Sequence, residues 1–322
     1  MTSPIPVSEL RPRLGISSCL LGQEVRFDAG HKRDAYVTGT LAGFFDFVPV
    51  CPEVAIGLGI PREPIRLVGD PADPRAVGTR RPNLDVTHLL QNYGRDQAAL
   101  LTDISGFIFK RKSPSCGMER VKVYPETGSL PKPGTGLFAK EIMKGQPLLP
   151  VEEEGRLGDP MLRENFIERV FAYKRWQDLL FSGLTPGGLL DFHTEHKLIL
   201  MSHGEVRYRA LGRLVAQLNS RPLSELANEY IQGFMEHLRQ QATRKRHTDV
   251  LQHLMGYLKR HLEGDDKAEI LEVLDAYRLG RVPLIVPVTL LKHHFRRYPD
   301  PYIQRQLYLN PHPKELMLRN SI

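Results

Sequence analysis

The stretch Ile104-Ser-Gly-Phe-Ile-Phe-Lys110, followed at once by Arg111-Lys-Ser-Pro-Ser-Cys-Gly117, indicates the fold of the first part of this 322-residue chain. Residues 104–110 predict a buried strand, because a short apolar run bounded by turn residues is typical of one. Residues 14–19 and 46–51 have the same form, since each is a short apolar run that ends at a cysteine. Each of the three predicted strands therefore leads to a cysteine.

Helical stretches separate these strands. Residues 39–45 predict a short helix, and residues 86–94 predict the beginning of a longer one. Alternating strands and helices favour an α/β domain with a parallel sheet and flanking helices. Because ligands of open α/β sheets bind beyond the carboxyl ends of the strands, we expect Cys19, Cys51 and Cys116 to converge on one site.

The second part of the chain has a helical period instead. Residues 224–238 place their apolar side chains on one helix face, and residues 250–262 repeat the pattern. This predicts an all-α C-terminal domain. The glycine- and proline-containing stretch 182–188 is the best candidate linker, so we expect domains at 1–180 and 189–322.

The composition predicts a soluble cytoplasmic protein. The chain is 41% hydrophobic and 25% charged, and it has no apolar run of the length that spans a bilayer. Residues 1–10 lack the basic and apolar regions of a secretory signal. We therefore expect a reducing compartment, where structural disulfides are rare, and no membrane partner.

The net charge of +7 is concentrated in the second half, in clusters such as Arg244–Arg246 and His293–Arg297. A solvated basic surface is the ordinary interpretation of such clusters. The alternative is a surface that attracts phosphate, on a nucleotide or on a nucleic acid.

The chain has only three cysteines, all in its first part. An odd number in a reducing compartment indicates metal binding, catalysis or simple burial. The spacings match no compact C-x-x-C pattern, and scattered cysteines are most often buried small side chains. Pro52 and Pro114 stiffen the backbone beside two of them. Three thiolates are one fewer than a closed zinc or iron–sulfur site uses, so a centre held by them would keep one position open.

Three polar side chains beside the cysteines are candidate catalytic groups. Glu53 follows Cys51 by two residues, and a carboxylate there could transfer a proton or orient water. It could equally be a surface or helix-capping residue. Ser113 and Ser115 flank Pro114, and serines in such positions are commonly turn residues.

Basic residues in the same part of the chain are candidates for substrate binding. Residues 22–33 are rich in glycine and hydrogen-bond donors, which suit a phosphate or a heterocycle edge, although a plain charged loop has the same composition. Lys110 and Lys112 bring positive charge towards Cys116 and would favour its thiolate. The full candidate set is Arg26, Asp28, His31, Lys32, Arg62, Arg66, Lys110 and Lys112.

Other catalytic motifs find little support. His193 and His196 do not form an H-E-x-x-H pair, so hydrogen-bonded or solvated helix histidines are the expected interpretation. The sequence contains no G-x-S-x-G elbow, no Walker A loop and no G-x-G-x-x-G fingerprint.

Three phrases, in order, resemble the TudS-type thiouracil desulfidase family. They are Ser18-Cys19-Leu-Leu-Gly-x-x-Val-Arg-Phe-Asp28, Cys51-Pro-Glu53-Val-x-x-Gly-Leu-Gly-x-Pro-Arg62 and Lys112-Ser-Pro-Ser-Cys-Gly117. The similarity covers roughly residues 12–160. Residues from about 189 to 320 resemble the YbgA-like domain.

The resemblance implies a [4Fe–4S] cluster held by Cys19, Cys51 and Cys116, with no protein ligand on the fourth iron. It implies an enzyme of nucleotide salvage that removes sulfur from a thiolated pyrimidine. Two-domain chains of this form resemble members that convert 4-thiouridine 5′-monophosphate (4-thio-UMP) to UMP and hydrogen sulfide. The reaction is formally hydrolytic, with Glu53 activating water and Ser113 or a lysine assisting proton transfer.

Two other functions remain open from the sequence. One is desulfuration of 4-thiouridine in tRNA, with the basic second domain binding the RNA backbone. The other is a non-catalytic iron–sulfur or metal sensor with a helical interaction domain. A zinc hydrolase is disfavoured, because three thiolates would leave its bound water poorly activated.

Overall fold

The computed structural model describes residues 11–125 and 130–322, which form two compact units, Arg11–Gly158 and Asp159–Ile322. Residues 1–10, in which no secretory signal was found, lie outside the described residues. The predicted linker, 182–188, lies within the second unit, where residues 182–185 separate two helices and residues 186–188 begin the second of them.

The first unit alternates strands and helices. Its elements, in chain order, are β1 (Arg13–Ser17), β2 (Asp46–Val50), α1 (Pro52–Ala55), β3 (Ile65–Asp70), β4 (Asp73–Gly78), α2 (Thr87–Leu100), β5 (Gly106–Phe109), β6 (Val121–Tyr124), β7 (Lys132–Gly134), α3 (Leu137–Gly145) and β8 (Val151–Glu153).

A four-stranded parallel sheet with the order β2-β1-β5-β8 forms the centre of this unit. All four residues of β5 are buried, as are Leu14 and Ile16 of β1, as expected for parallel strands covered on both faces. The parallel α/β prediction is confirmed. The edge strand β8 has no counterpart among the predicted strands, because Glu152 and Glu153 give it an acidic character.

A second, mixed sheet follows the order β4-β3-β6-β7. Strands β3 and β4 form an antiparallel hairpin, β6 runs parallel to β3, and β7 is antiparallel to β6. Its apolar core includes Leu67 and Val123, with Leu90 of α2 and Leu137 of α3. The connection between β5 and β6 therefore carries Cys116 from the end of the first sheet to the start of the second.

Every regular element of residues 159–322 is a helix, which confirms the all-α prediction for the second part of the chain. No helix within the described ranges is long and apolar enough to cross a membrane. The helices are α4 (Pro160–Phe181), α5 (Pro186–His203), α6 (Glu205–Val215), α7 (Leu223–Leu238), α8 (Arg244–Leu258), α9 (Gly264–Arg278), α10 (Ile285–Arg297) and α11 (Pro301–Gln304).

The two histidines of α5 are buried and hydrogen-bonded. His193 Nδ1 lies 3.1 Å from the Tyr230 hydroxyl, and His196 Nδ1 lies 2.8 Å from the carbonyl of Phe192. Within residues 11–125 and 130–322, no group of three or more His, Cys, Asp or Glu side chains is arranged to hold a metal ion. These histidines therefore belong to the helical core.

Candidate active site

The three cysteines lie where the parallel strands end. Cys51 directly follows β2 and precedes α1, Cys19 lies in the single turn 18–21 after β1, and Cys116 lies in the loop after β5. All three line one cavity of about 370 Å³. The predicted convergence at the carboxyl end of the sheet is therefore observed.

The environment of the cysteines keeps them as thiols. Burial raises the pKa of Cys19 to about 11, although the charge of Lys110 opposes the shift. Burial also raises the pKa of Cys51 and of Cys116. Nucleophilic cysteines have lowered pKa values, whereas metal coordination deprotonates a thiol outright. These thiols are therefore poor nucleophiles near pH 7, and a bound metal would deprotonate them.

The sequence predicts that Lys110 and Lys112 favour the thiolate of Cys116, but burial raises the pKa of that cysteine. The positive charge of Lys110 acts chiefly on Cys19. At Cys116, a hydrogen bond with Ser17 is the main influence that opposes burial. The reason is that Lys110 ends the strand beside β1, so it stands nearer to the turn that follows β1.

The donor set of this cavity is three thiols. Iron–sulfur clusters are held by cysteine thiolates, four of them when every iron has a protein ligand. Three thiols on one cavity therefore fit a cluster with one iron free of protein ligands.

Glu53, near the start of α1, is held from two sides. Its Oε2 accepts hydrogen bonds from Arg62 Nε at 2.9 Å and Nη2 at 2.7 Å, and its Oε1 accepts one from Ser115 Oγ at 2.6 Å. The side chains of Glu53 and Arg62 are only 14% and 5% exposed. Arg62 also donates to the carbonyls of Val25 and Gly59. Glu53 is thus a fixed carboxylate on the cavity wall and not a surface residue.

Ser113 and Ser115 extend this arrangement towards Cys116. Ser113 Oγ accepts hydrogen bonds from the backbone amides of Ser115, at 3.3 Å, and Cys116, at 3.1 Å. The two hydroxyl oxygens are 3.0 Å apart. Since Ser115 donates its proton to Glu53, Ser113 must donate to Ser115. Both serines shape the turn, as their sequence position suggests, and they also form a hydrogen-bonded chain that ends at Glu53.

Basic side chains line the cavity beside the cysteines and the carboxylate. Lys110 Nζ forms an ion pair with Glu154, which also accepts a hydrogen bond from the Arg111 amide at 2.8 Å. Glu154 directly follows β8, and the sequence did not single it out; the strand-end rule could have found it once β8 was recognised. Arg111 belongs to the basic run after β5, of which the sequence singled out only Lys110 and Lys112. The basic lining residues are Arg26, Lys32, Arg62, Lys110, Arg111 and Lys112.

Three of the predicted substrate-binding residues lie outside the cavity lining. Asp28 is exposed and pairs with Arg26 at 3.5 Å. His31 is also exposed, and its Nδ1 accepts a hydrogen bond from the Arg33 amide. Arg66 lies on β3, with its guanidinium 5.6 Å from the ring centroid of Tyr124.

The first turn of α3 fixes the loop that carries Cys116. The amides of Gly136, Leu137 and Ala139 donate to backbone carbonyls of residues 114–117 over 2.8–3.1 Å. The N–H groups of a helix's first turn have no partner within the helix, so here the loop satisfies them. A Cβ on Gly136 would lie 2.6 Å from backbone atoms of Ser115.

We expect Gly136→Ala to destabilise the first unit by about 1–3 kcal/mol, because the added methyl group collides with backbone and not with a flexible side chain. Thermal unfolding and the iron content of reconstituted protein would measure the effect on the fold and on the Cys116 loop. Gly39→Ala is the matched control, since a Cβ there meets nothing within 4 Å. Equal stability and iron content in the two variants would contradict this account of the loop.

Comparison with known proteins agrees with the two units. Residues 14–154 match the family model described as 2-thiouracil desulfurase, and residues 197–313 match the protein family of unknown function DUF1722. The chain belongs to the 2-thiouracil desulfurase family in its N-terminal part and to DUF1722 in its C-terminal part. The resemblance noted from the three cysteine phrases and the YbgA-like region is confirmed.

The aligned regions cover most of the length of each individual relative. The uncharacterized protein YbgA of Escherichia coli K12 is 34% identical over 154 residues, which are 48% of this chain and 91% of YbgA. The uncharacterized protein YbbK of Bacillus subtilis 168 is 32% identical over 108 residues, 32% of this chain and 71% of YbbK. A solved structure of the [4Fe-4S]-dependent thiouracil desulfidase TudS is 27% identical, covering 46% of this chain and 95% of that one, with a TM-score of 0.37.

Proposed function

We propose that this protein is a desulfidase that hydrolyses 4-thio-UMP to UMP and hydrogen sulfide at a [4Fe–4S] cluster held by Cys19, Cys51 and Cys116. Membership of the 2-thiouracil desulfurase family supports sulfur removal from a thiolated pyrimidine. One observation carries the proposal: the three thiols and the hydrogen-bonded chain of Ser113, Ser115 and Glu53 line the same cavity.

The residues present fit the group that the proposal requires. When bound, a cluster with one iron free of protein ligands supplies a soft Lewis acid that polarises the carbon–sulfur bond of a thione. The three cysteines would hold it, and no fourth cysteine exists in the chain to close the remaining position.

Glu53 would act as the base that takes a proton from the attacking water. Arg62 holds Oε2 with two hydrogen bonds, so the carboxylate cannot rotate freely and Oε1 stays directed at Ser115. Reversal of the hydrogen bonds along Ser115 and Ser113 would carry a proton from the carboxylate to Ser113 Oγ, which would pass its own proton to the departing sulfide. Water thus supplies the oxygen of UMP and both protons of hydrogen sulfide.

The phosphate would bind the basic residues that are not held in buried ion pairs; the pair of Arg26 with Asp28 is a partly exposed one. Arg62 is committed to Glu53, and Lys110 is paired with Glu154. Arg26, Lys32 and Lys112 also line the cavity, and Lys32 and Lys112 are exposed. They can therefore bind a phosphate oxygen without the loss of a buried ion pair.

The test is anaerobic purification and reconstitution, with iron and sulfide quantified, followed by addition of 4-thio-UMP. We expect loss of the near-ultraviolet thione band and release of UMP and sulfide, with 4-thiouridine and 2-thiouracil turned over more slowly because they lack the phosphate. A persistent band in cluster-replete protein would refute the assignment to 4-thio-UMP. Persistence with every thiolated compound would favour a sensor.

The same assay is repeated with tRNA that contains 4-thiouridine. If it loses sulfur faster than 4-thio-UMP, with binding that weakens steeply as salt is raised, the nucleotide assignment gives way to tRNA desulfuration.

A further inference from the structure

A second cavity, of about 440 Å³, lies wholly within the helical unit. It is formed by the first half of α5, the second half of α6 and the residues that follow α6. Most of its walls are apolar. Its lining residues are Pro186, Gly187, Leu190, His193, Gly212, Val215, Ala216, Leu218 and Asn219.

His193 presents a hydrogen-bond donor to this cavity. Tyr230 is fully buried, and burial raises its pKa well above the usual value, so it keeps its proton. A buried hydroxyl must donate that proton, and His193 Nδ1, 3.1 Å away, is positioned to accept it. The proton of the neutral ring is then on Nε2. Burial, followed by the charge of Lys197, lowers the pKa of His193 to about 4, so the ring is neutral near pH 7.

The open face of His193 is maintained by a glycine. Gly212 lies inside α6, where glycine costs about 1 kcal/mol relative to alanine. A Cβ at this position would find one atom within 4 Å, His193 Nε2 at 3.8 Å. Packing therefore does not require glycine here. Its effect is to leave space in front of the imidazole N–H.

The charges around the cavity favour an anion. The first turn of α5 begins with Pro186, which has no N–H, and the Gly188 amide donates to the Thr185 hydroxyl. The Gly187 amide is therefore the donor that this turn offers to a ligand in the cavity, beside the partial positive charge of the helix N-terminus. Arg213 lines an adjacent shallow cavity that shares Gly212 with this one.

We propose that this cavity binds a small carboxylate with an apolar body. The carboxylate would accept the hydrogen bond of His193 Nε2–H beside the first turn of α5. The apolar body would lie against Leu190, Val215 and Leu218. A cation would be opposed by the helix terminus, and a purely apolar molecule would leave the imidazole donor unpaired. This site is separate from the proposed desulfidase centre, so its ligand need not be a substrate.

The only tryptophan of the chain provides the readout. The Trp176 ring lies 5.3 Å from the ring of Phe192 and 6.2 Å from that of Tyr230, the partner of His193. Fluorescence titration of the full-length protein with octanoate and benzoate should give saturable changes, whereas octylamine should give none. Absence of a saturable change with both acids, or equal affinity for octylamine, would overturn the proposal.

Variants locate the site. Gly212→Leu fills the space in front of His193 and should weaken octanoate binding at least about tenfold, equivalent to about 1.4 kcal/mol. Gly256→Leu on α8 is the matched control and should bind as wild type, because a Cβ there meets nothing within 4 Å.

Removing the donor gives a second measurement that does not depend on Gly212→Leu folding. The double variant His193→Phe/Tyr230→Phe removes both partners of one hydrogen bond with little change of shape, so the fold is retained. It should lose octanoate affinity by a similar factor while keeping desulfidase turnover. Wild-type affinity in either site variant would refute the assignment.

Discussion

Glu53→Gln should lose desulfuration by about 10²- to 10⁴-fold while it retains a wild-type content of iron and sulfide. Glutamine preserves the shape of the side chain: its carbonyl oxygen can still accept from Arg62, and its NH2 group can donate to the Ser115 hydroxyl, but it cannot take a proton from water. Losses of this size are typical when a positioned general base is removed. Single-turnover loss of the thione band in cluster-replete protein measures the change.

Glu63→Gln is the matched control for this prediction. It makes the same chemical change ten residues further along the chain, in a carboxylate that pairs with Arg81 at 2.5 Å and lies outside the lining of the proposed active site. We expect its turnover to stay near that of wild type. If Glu53→Gln turned over 4-thio-UMP as fast as Glu63→Gln, Glu53 would have no role in proton transfer. Loss of the cluster itself would assign Glu53 a structural role.

The sequence predicted the parts of the site that depend on local pattern and on a general rule of topology. Apolar runs ending at Cys19 and Cys51, and a run leading to Cys116, predict strands. Parallel strands then bring their carboxyl ends to one edge. This reasoning needs no knowledge of side-chain packing, and the cysteines and the neighbouring Glu53 line one cavity as it predicts.

Roles set by contacts distant in sequence were less accessible. Arg62 is a natural phosphate ligand by residue type, but the fold pairs it with Glu53. Arg66 points to Tyr124 because β3 belongs to the second sheet, which the sequence did not reveal. Glu154 was missed because its strand, β8, is short and acidic. In each case the decisive partner comes from another element, and composition does not specify which.

In the helical unit, too, the sequence predicted what local pattern determines and missed what distant contacts determine. Its apolar period predicted helices, but α8 begins at Arg244, six residues before the apolar pattern at Val250, because the Thr243 side chain caps it by accepting a hydrogen bond from the Arg246 amide. The buried charges of this unit left no periodic signal. They nevertheless give the largest stability effect that we expect.

Arg319→Met should destabilise the helical unit by about 3–5 kcal/mol. Arg319 is 4% exposed and lies 3.3 Å from Glu164 and 3.4 Å from Glu168. Burial raises the pKa of Glu164, but a hydrogen bond with His312 and the charge of Arg319 outweigh it and hold the pKa at about 2. Removing the guanidinium would leave two buried carboxylates without their main positive partner, and breaking a buried ion pair costs this much. Urea unfolding followed by Trp176 fluorescence reports on this unit.

Two further variants separate charge from packing. Arg278→Met makes the same substitution in a pair with Asp275 that is about half exposed, so it should cost less than about 1 kcal/mol. Arg319→Lys keeps the charge, but its single ammonium nitrogen replaces three guanidinium nitrogens that each reach a different acceptor, Glu164, Glu168 and the Tyr308 carbonyl. We expect it to fall between wild type and Arg319→Met. If Arg319→Met cost no more than Arg278→Met, the carboxylates would have to be neutral in the folded protein, and the low pKa of Glu164 would be wrong.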